Sequence, residues 1–269
     1  MTHAPDAPHA ETCALITGAS QGLGLAVARA LVAQGCTRLV LTGRDRAKGE
    51  AAAAGLSQGG VEASFLAVDM ADTAAVLDMV DTAAGRMGRV TALVNSAAYT
   101  ARGSILDTDP DLWDRVFATN AKGPFFALQR FAQRCIDEGI AGTCVNILSI
   151  VVHGGLPFLA PYGASKAALL YTTKNAANTL AKHRIRVNGI NVGWMNTPGE
   201  DKVQREAHGR KPGWQAEVDA ALPFGQMVQP EEVAEQVAFL LGPRSGVVTG
   251  SVMDFDQQVV GAYPDTDES

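Results

Sequence analysis

The sequence predicts an α/β protein with a single doubly wound parallel sheet of about seven strands and helices on both faces. Three observations predict it. Short apolar runs alternate with helix-patterned segments at least six times along the 269 residues. The runs are apolar on both faces, as expected when helices cover each side of a parallel sheet. A glycine-rich turn, TGASQGLG at 17–24, joins the first run to the first helical segment, where a doubly wound sheet binds its ligand.

Each element has its own signal. The strands are read at 13–19, 37–44, 61–70, 90–98, 142–150, 185–193 and 250–256. The helices between them are read at 22–35, 46–58 and 73–88, then as a long helix at 109–139 interrupted around Gly123-Pro124. A helix at 162–183 follows. The helix at 230–242 opens with Pro230 and Glu231, the residues that helix starts prefer. The segment 194–229 is the one long stretch without a regular pattern, and a loop of that length is expected to be functional.

Composition narrows the function classes. The chain is 47% hydrophobic and 19% charged, an ordinary globular balance. A net charge of -6 argues against a nucleic-acid partner. No apolar run reaches the roughly 18 residues of a membrane span. Residues 1–11 lack a basic and an apolar region, so they do not form a signal peptide. They are expected to be a disordered tail with His3 and His9 solvated. Cys13, Cys36, Cys135 and Cys144 are scattered, with no zinc spacing. This points to a reducing cytoplasm and to no bound metal.

In the glycine turn, Gly18, Ser20, Gln21, Gly22, Leu23 and Gly24 are the candidates to hold a dinucleotide. Glycine lets the backbone approach a pyrophosphate, and the helix N-terminus supplies free N–H donors. At the end of the second strand, Gly43 stands where a carboxylate would hold an adenosine ribose, and Arg44 follows it. An Arg there suits a 2′-phosphate, so NADP is favoured, with NAD left open. Asp69 either accepts from the adenine amino group or caps a helix, a role more natural for Asp72.

Tyr162 and Lys166 lie four apart, on one helix face. A phenol is a poor base at neutral pH, and a nearby cation is expected to lower its pKa. Ser149, at a strand end, is placed to hold a substrate oxygen. Asn120 sits mid-helix, where propensity does not favour it, and is expected to bind a water leading from Lys166 to solvent.

TGASQGLG, Asn120, Ser149 and YGASK, in this order and spacing, resemble the short-chain dehydrogenase/reductase family over residues 12–256. The resemblance implies a Rossmann-type catalytic domain over 12–269, with a substrate lid at about 194–229. It implies hydride transfer between nicotinamide and a secondary alcohol or carbonyl. Tyr162 would be the general acid/base within an Asn120, Ser149, Tyr162, Lys166 tetrad. Tyr162 and Lys166 would also touch the cofactor, as would Asn95 and Thr197. A homotetramer is implied, built on the helices at 109–137 and 162–183 and the last strand–helix region, with a homodimer as fallback.

The chain departs from the family pattern in places. NSAA at 95–98 replaces the usual N-N-A-G, and Val192 replaces a proline before Gly193. Asp254, Asp256 and Gln257 stand where the family commonly has V-D-G-G. They are expected at a neighbouring subunit's pocket or at an interface. Ser149, His153, Tyr162 and Trp194 are the candidates for substrate contact. The polar share of the lid suggests a sugar or polyol. A hydrophobic ketone and a 3-oxoacyl thioester remain as alternatives. A serine hydrolase using Ser149 and His153 fails for want of a nucleophile elbow, because GASKA lacks its second glycine. A non-catalytic dinucleotide-binding regulator would be expected to have lost Tyr162 or Lys166.

Overall fold

The computed structural model describes residues 7–262. The chain runs β1 (Cys13–Thr17), α1 (Gly22–Ala33), β2 (Arg38–Gly43), α2 (Arg46–Leu56), β3 (Glu62–Ala67), α3 (Thr73–Met87) and β4 (Ala92–Asn95). It continues through α4 (Pro110–Phe117), α5 (Gly123–Asp137), β5 (Gly142–Ser149), α6 (Ala160–Leu180) and β6 (Ile185–Val192). It ends with α7 (Pro198–Ala207), α8 (Trp214–Ala221), α9 (Pro230–Leu241) and β7 (Val252–Phe255). The seven strands pair in parallel in the order β3-β2-β1-β4-β5-β6-β7.

Side chains alternate across the sheet because the strand period is two. From β1 and β2, Ala14, Ile16, Leu39 and Leu41 join a core with α1 and α9. Cys13, Leu15 and Val40 join a second core with α3 and α5 on the opposite face. β1, β4 and β5 are buried along their whole length. Asp45, Asp72 and Asp109 cap α2, α3 and α4 with side-chain carboxylates. α9 opens on a capping box between Gln229 and Glu232, with Pro230 in its first turn. The strand order reverses between β1 and β4, and the crevice outside those strand ends is where this architecture binds ligands.

Three features differ from the sequence expectation. The 194–229 segment is not irregular: it holds α7 and α8, with Trp214, Val218 and Met227 in a small core of their own. The interruption of the 109–139 helix is a π-helical turn at Ala118–Lys122, centred on Asn120. Pro124 has no N–H to offer the carbonyl of Asn120, four residues back, which accounts for the wider turn.

Residues 7–11 pack onto the domain rather than forming a loose tail. His9 is fully buried; its backbone N–H donates to Gln34 and its ring Nε2 bonds the Ala238 carbonyl at 3.0 Å. His3 and the rest of that segment lie outside the described residues. All four cysteines are free and buried, and burial pushes Cys36 up to about 11 and Cys135 up to about 12.

Candidate active site

The ends of β1, β2, β4, β5 and β6 open into one cleft of about 1180 Å³. Ordinary ligand pockets span roughly 300–1,000 Å³, so the cleft has room for a dinucleotide and a second molecule. Gly18, Ser20, Gln21, Gly22, Leu23 and Gly24 all line it. Gly18 and Gly22 have φ of +67° and +57°, a region that glycine enters without strain. A Cβ on Gly18 would stand 2.7 Å from the Ala97 backbone. Thr17 Oγ1 fixes that approach by accepting from the Ser96 and Ala97 amides at 3.0 and 3.1 Å. This bare backbone at the start of α1 fits a dinucleotide phosphate.

At the far end of the cleft, Arg44 is exposed and lines the wall beside Gly43. No ion pair engages Arg44 among the described residues. Asp69 is neither free nor a helix cap, and Asp72 holds that role. The Asp69 carboxylate accepts from the Ala71 amide at 3.0 Å and from Arg115 Nη2 at 2.7 Å. Burial alone would raise its pKa, but these two partners outweigh burial and hold it below the usual value.

The chemical end lies where β5 meets α6. Ser149 is the last residue of β5, and Tyr162 and Lys166 share one face of α6. Ser149 and Tyr162 both line the cleft, and Ser149 Oγ accepts from the Val151 amide at 3.4 Å. Lys166 is fully buried; its Nζ donates to the Ile147 carbonyl at 2.8 Å and stands 5.7 Å from the centre of the Tyr162 ring. Burial lowers the Lys166 ammonium to about 8.

The expected lowering of the phenol is not what the protein alone produces. Burial pushes Tyr162 up to about 12, against the opposing effect of the Ser149 hydroxyl. Glu200 adds to the rise and Arg102 opposes it. The Lys166 ammonium, 5.7 Å from the ring centre, does not offset that rise, and desolvation of the phenol prevails.

Other predicted residues are placed differently from expectation. Asn120 Oδ1 accepts from the Tyr99 amide at 2.7 Å, and Nδ2 donates to Tyr99 and to Ser165 Oγ. Its side chain is therefore committed, and it is not on the cleft wall. Asn95 turns behind β4 to donate to Asn146 Oδ1 at 2.8 Å and does not line the cleft either. His153 bonds Asp254 Oδ1 at 2.9 Å and Asn191 Nδ2 at 3.2 Å, away from the cleft. Trp194 and Thr197 do line it, and Thr197 caps α7 by accepting from the Glu200 amide at 3.1 Å. Asp256 and Gln257 line this chain's own cleft.

A family model described as Enoyl-(Acyl carrier protein) reductase matches residues 18–257. The chain is 34% identical over 241 residues to 2-(S)-hydroxypropyl-CoM dehydrogenase 3 of Xanthobacter autotrophicus, covering 90% of this chain and 93% of that one. The chain belongs to the short-chain dehydrogenase/reductase family. This chain is a dehydrogenase/reductase of that family acting on CH–OH groups. It is 32% identical to gluconate 5-dehydrogenase of Gluconobacter oxydans, over 90% of this chain and 92% of that one.

Among solved structures, an NADPH-bound actinorhodin polyketide ketoreductase variant superposes with a TM-score of 0.86 at 30% identity. It covers 93% of this chain and 98% of that one. NAD+-bound xylitol dehydrogenase superposes at 0.84 and 29% identity, over 95% of this chain and all of that one. The sequence reading missed Thr17, Arg102 and Arg115 in this short-chain dehydrogenase/reductase. Thr17 stood in plain view as the strand-end residue of the glycine turn. Arg102 and Arg115 carry no sequence signal, because their partners come from α7 and from the turn after β3.

Proposed function

We propose that this enzyme is an NADP-preferring oxidoreductase of a hydroxylated substrate, such as a sugar or polyol, with Tyr162 as its general acid/base. The observation that carries this reading is that Ser149, Tyr162 and Lys166 meet on the wall of one cleft, with the buried Lys166 ammonium 5.7 Å from the centre of the Tyr162 ring. Tyr162 exchanges a proton with the substrate oxygen, and Ser149 holds that oxygen in place. Lys166, lowered to about 8, can exchange a proton near neutral pH and supplies positive charge under the phenol. A nicotinamide dinucleotide, when bound, supplies or accepts the hydride at the substrate carbon. Gly18, Gly22 and the amides at the start of α1 would hold its phosphates. Arg44 would meet a 2′-phosphate, which supports NADP over NAD.

The substrate end supports a polar molecule: Glu200, Gln204, Asp256 and Gln257 stand on the wall with Trp194 and Phe158. A homotetramer fits the exposed apolar side chains Trp113, Phe125, Tyr171, Phe239 and Met253 on α4, α5, α6, α9 and β7. Four buried thiols without disulfides fit a cytoplasmic enzyme. No helix among the described residues is long and apolar enough to cross a membrane.

The test is nicotinamide absorbance with a panel of polyols, sugars and ketones, each run with NAD and with NADP. Turnover of a hydroxylated compound with NADP at least tenfold better than with NAD is expected. Activity confined to apolar ketones would overturn the substrate class, and a preference for NAD would overturn the role of Arg44.

A further inference from the structure

The lid side of the cleft carries two guanidiniums: Arg210 is held over two aromatic rings, and Arg102 by one ring, two hydrogen bonds and a long ion pair. Arg210 lies over both Trp194 and Trp214, at 6.0 and 5.6 Å from their centres. The two indoles stack on each other 5.6 Å apart. The sole ion pair that Arg210 makes among the described residues is a loose one with Glu217, at 3.6 Å, and that carboxylate is 83% exposed. No hydrogen bond engages its fork among the described residues. Arg102 comes from the loop after β4 and lies 5.5 Å from the centre of the Phe158 ring. Its Nε meets His208 Nε2 at 3.2 Å and its Nη1 donates to the Thr100 carbonyl at 3.1 Å. Its Nη2 stands 3.8 Å from Glu200.

Glu200 offsets part of the charge of Arg102, whereas Arg210 faces the loose and exposed Glu217. Glu200 Oε1 already accepts from Trp194 Nε1 at 2.9 Å and from Gln204 Nε2 at 2.7 Å. That oxygen also holds Gln204 of α7 and the Trp194 indole in place. A guanidinium fork presents donors matched to a carboxylate or phosphate. Aromatic contact holds Arg210 without consuming its donors, and Arg102 keeps N–H groups beyond those it gives to His208 and Thr100. Arg102 also lies close enough to the reacting centre to lower the Tyr162 phenol. Arg102, Arg210 and Tyr162 line the same cleft, so an anion held by the guanidiniums would belong to a molecule that shares the cleft with the phenol.

We propose that the lid wall is a subsite for an anionic group on the substrate, a carboxylate or a phosphate, gripped by Arg102 and Arg210. This rests on the oxidoreductase reading above and narrows its substrate to an anionic hydroxy or oxo compound.

Two matched pairs test it, each measured as reduction with NADPH: acetoacetate against methyl acetoacetate, and dihydroxyacetone phosphate against dihydroxyacetone. The charged member is expected to have kcat/KM roughly 10- to 100-fold above its neutral partner, expressed mainly in KM. The pair that shows the preference identifies carboxylate or phosphate. In Arg102→Gln and Arg210→Gln that ratio is expected to fall toward one. Independently of turnover, titrating wild type with each anion without cofactor should give a saturable change in tryptophan emission, because Arg210 covers two of the three indoles. The change should be lost in Arg210→Gln. A ratio near one for both pairs, or an emission change that both variants retain, overturns the subsite. If none of the four probes is turned over, the titration alone decides. Turnover that survives Tyr162→Phe would sink the proton-transfer reading and leave the titration result untouched.

Discussion

Replacing Lys166 by Met should make the protein more stable at neutral pH while destroying its activity. The ammonium is 2% exposed, and burial lowers its pKa from 10.5 to about 8. At pH 7 the group is charged in both the folded and the unfolded chain, so the fold carries the whole cost of burying the charge. That drop converts to about 3 kcal/mol. Met is close in volume and needs no partner. It forfeits the hydrogen bond to the Ile147 carbonyl, which returns about 1 kcal/mol. A net gain of about 2 kcal/mol remains.

The pH dependence separates this account from simple repacking. Between the folded value near 8 and the unfolded value of 10.5, the unfolded lysine binds more protons than the folded one. Wild-type stability therefore rises through that window relative to Lys166→Met. Above it, lysine is neutral in both states and the gain should vanish. Urea unfolding of both proteins at pH 7 and at pH 11 gives the comparison. A Met variant less stable at pH 7, or a gain that is the same at both pH values, refutes the reasoning.

Two further outcomes follow from the same geometry. Arg44→Glu should raise KM for NADP at least tenfold and shift preference to NAD, read from initial rates with each cofactor; an unchanged NADP KM would remove Arg44 from the site. His9 is buried neutral, with its pKa lowered by burial against the opposing Ala238 hydrogen bond. Below its ordinary value of 6.5 the unfolded chain binds the extra proton, so stability should fall as pH drops from 7 to 5. His9→Gln should flatten that slope in thermal unfolding at the two pH values.

The sheet was legible in the sequence because each parallel strand is apolar on both faces and each is followed by a helix pattern. The glycine turn was legible because Gly18 and Gly22 need a backbone that other residues avoid. α7 was not legible as a helix by periodicity, since PGEDKVQREA buries little beyond Gln204. Its capping signals, Thr197, Pro198 and the acids at 200 and 201, were present and outweighed by the missing apolar stripe. The π turn at Asn120 depends on a proline four residues on. The burial of His9 depends on α9, which lies more than two hundred residues away.

At the site, sequence spacing brought Ser149, Tyr162 and Lys166 together, and the structure does the same. Spacing alone could not show that Lys166 spends a donor on Ile147, or that burial raises the phenol. The depth of a side chain depends on the whole fold. Asn95 and His153 show the same limit: both lie beside the cleft, and both turn away from it to partners on neighbouring strands.

Tyr162→Phe tests the central claim most directly. The substitution removes one oxygen and keeps the ring packed on α6. With the best substrate of the panel, kcat should fall at least a thousandfold, on the order of what a lost acid/base group costs. Cofactor affinity, read by nicotinamide fluorescence, should stay within about threefold. A variant that keeps more than a tenth of wild-type kcat would contradict the assignment of the proton to Tyr162.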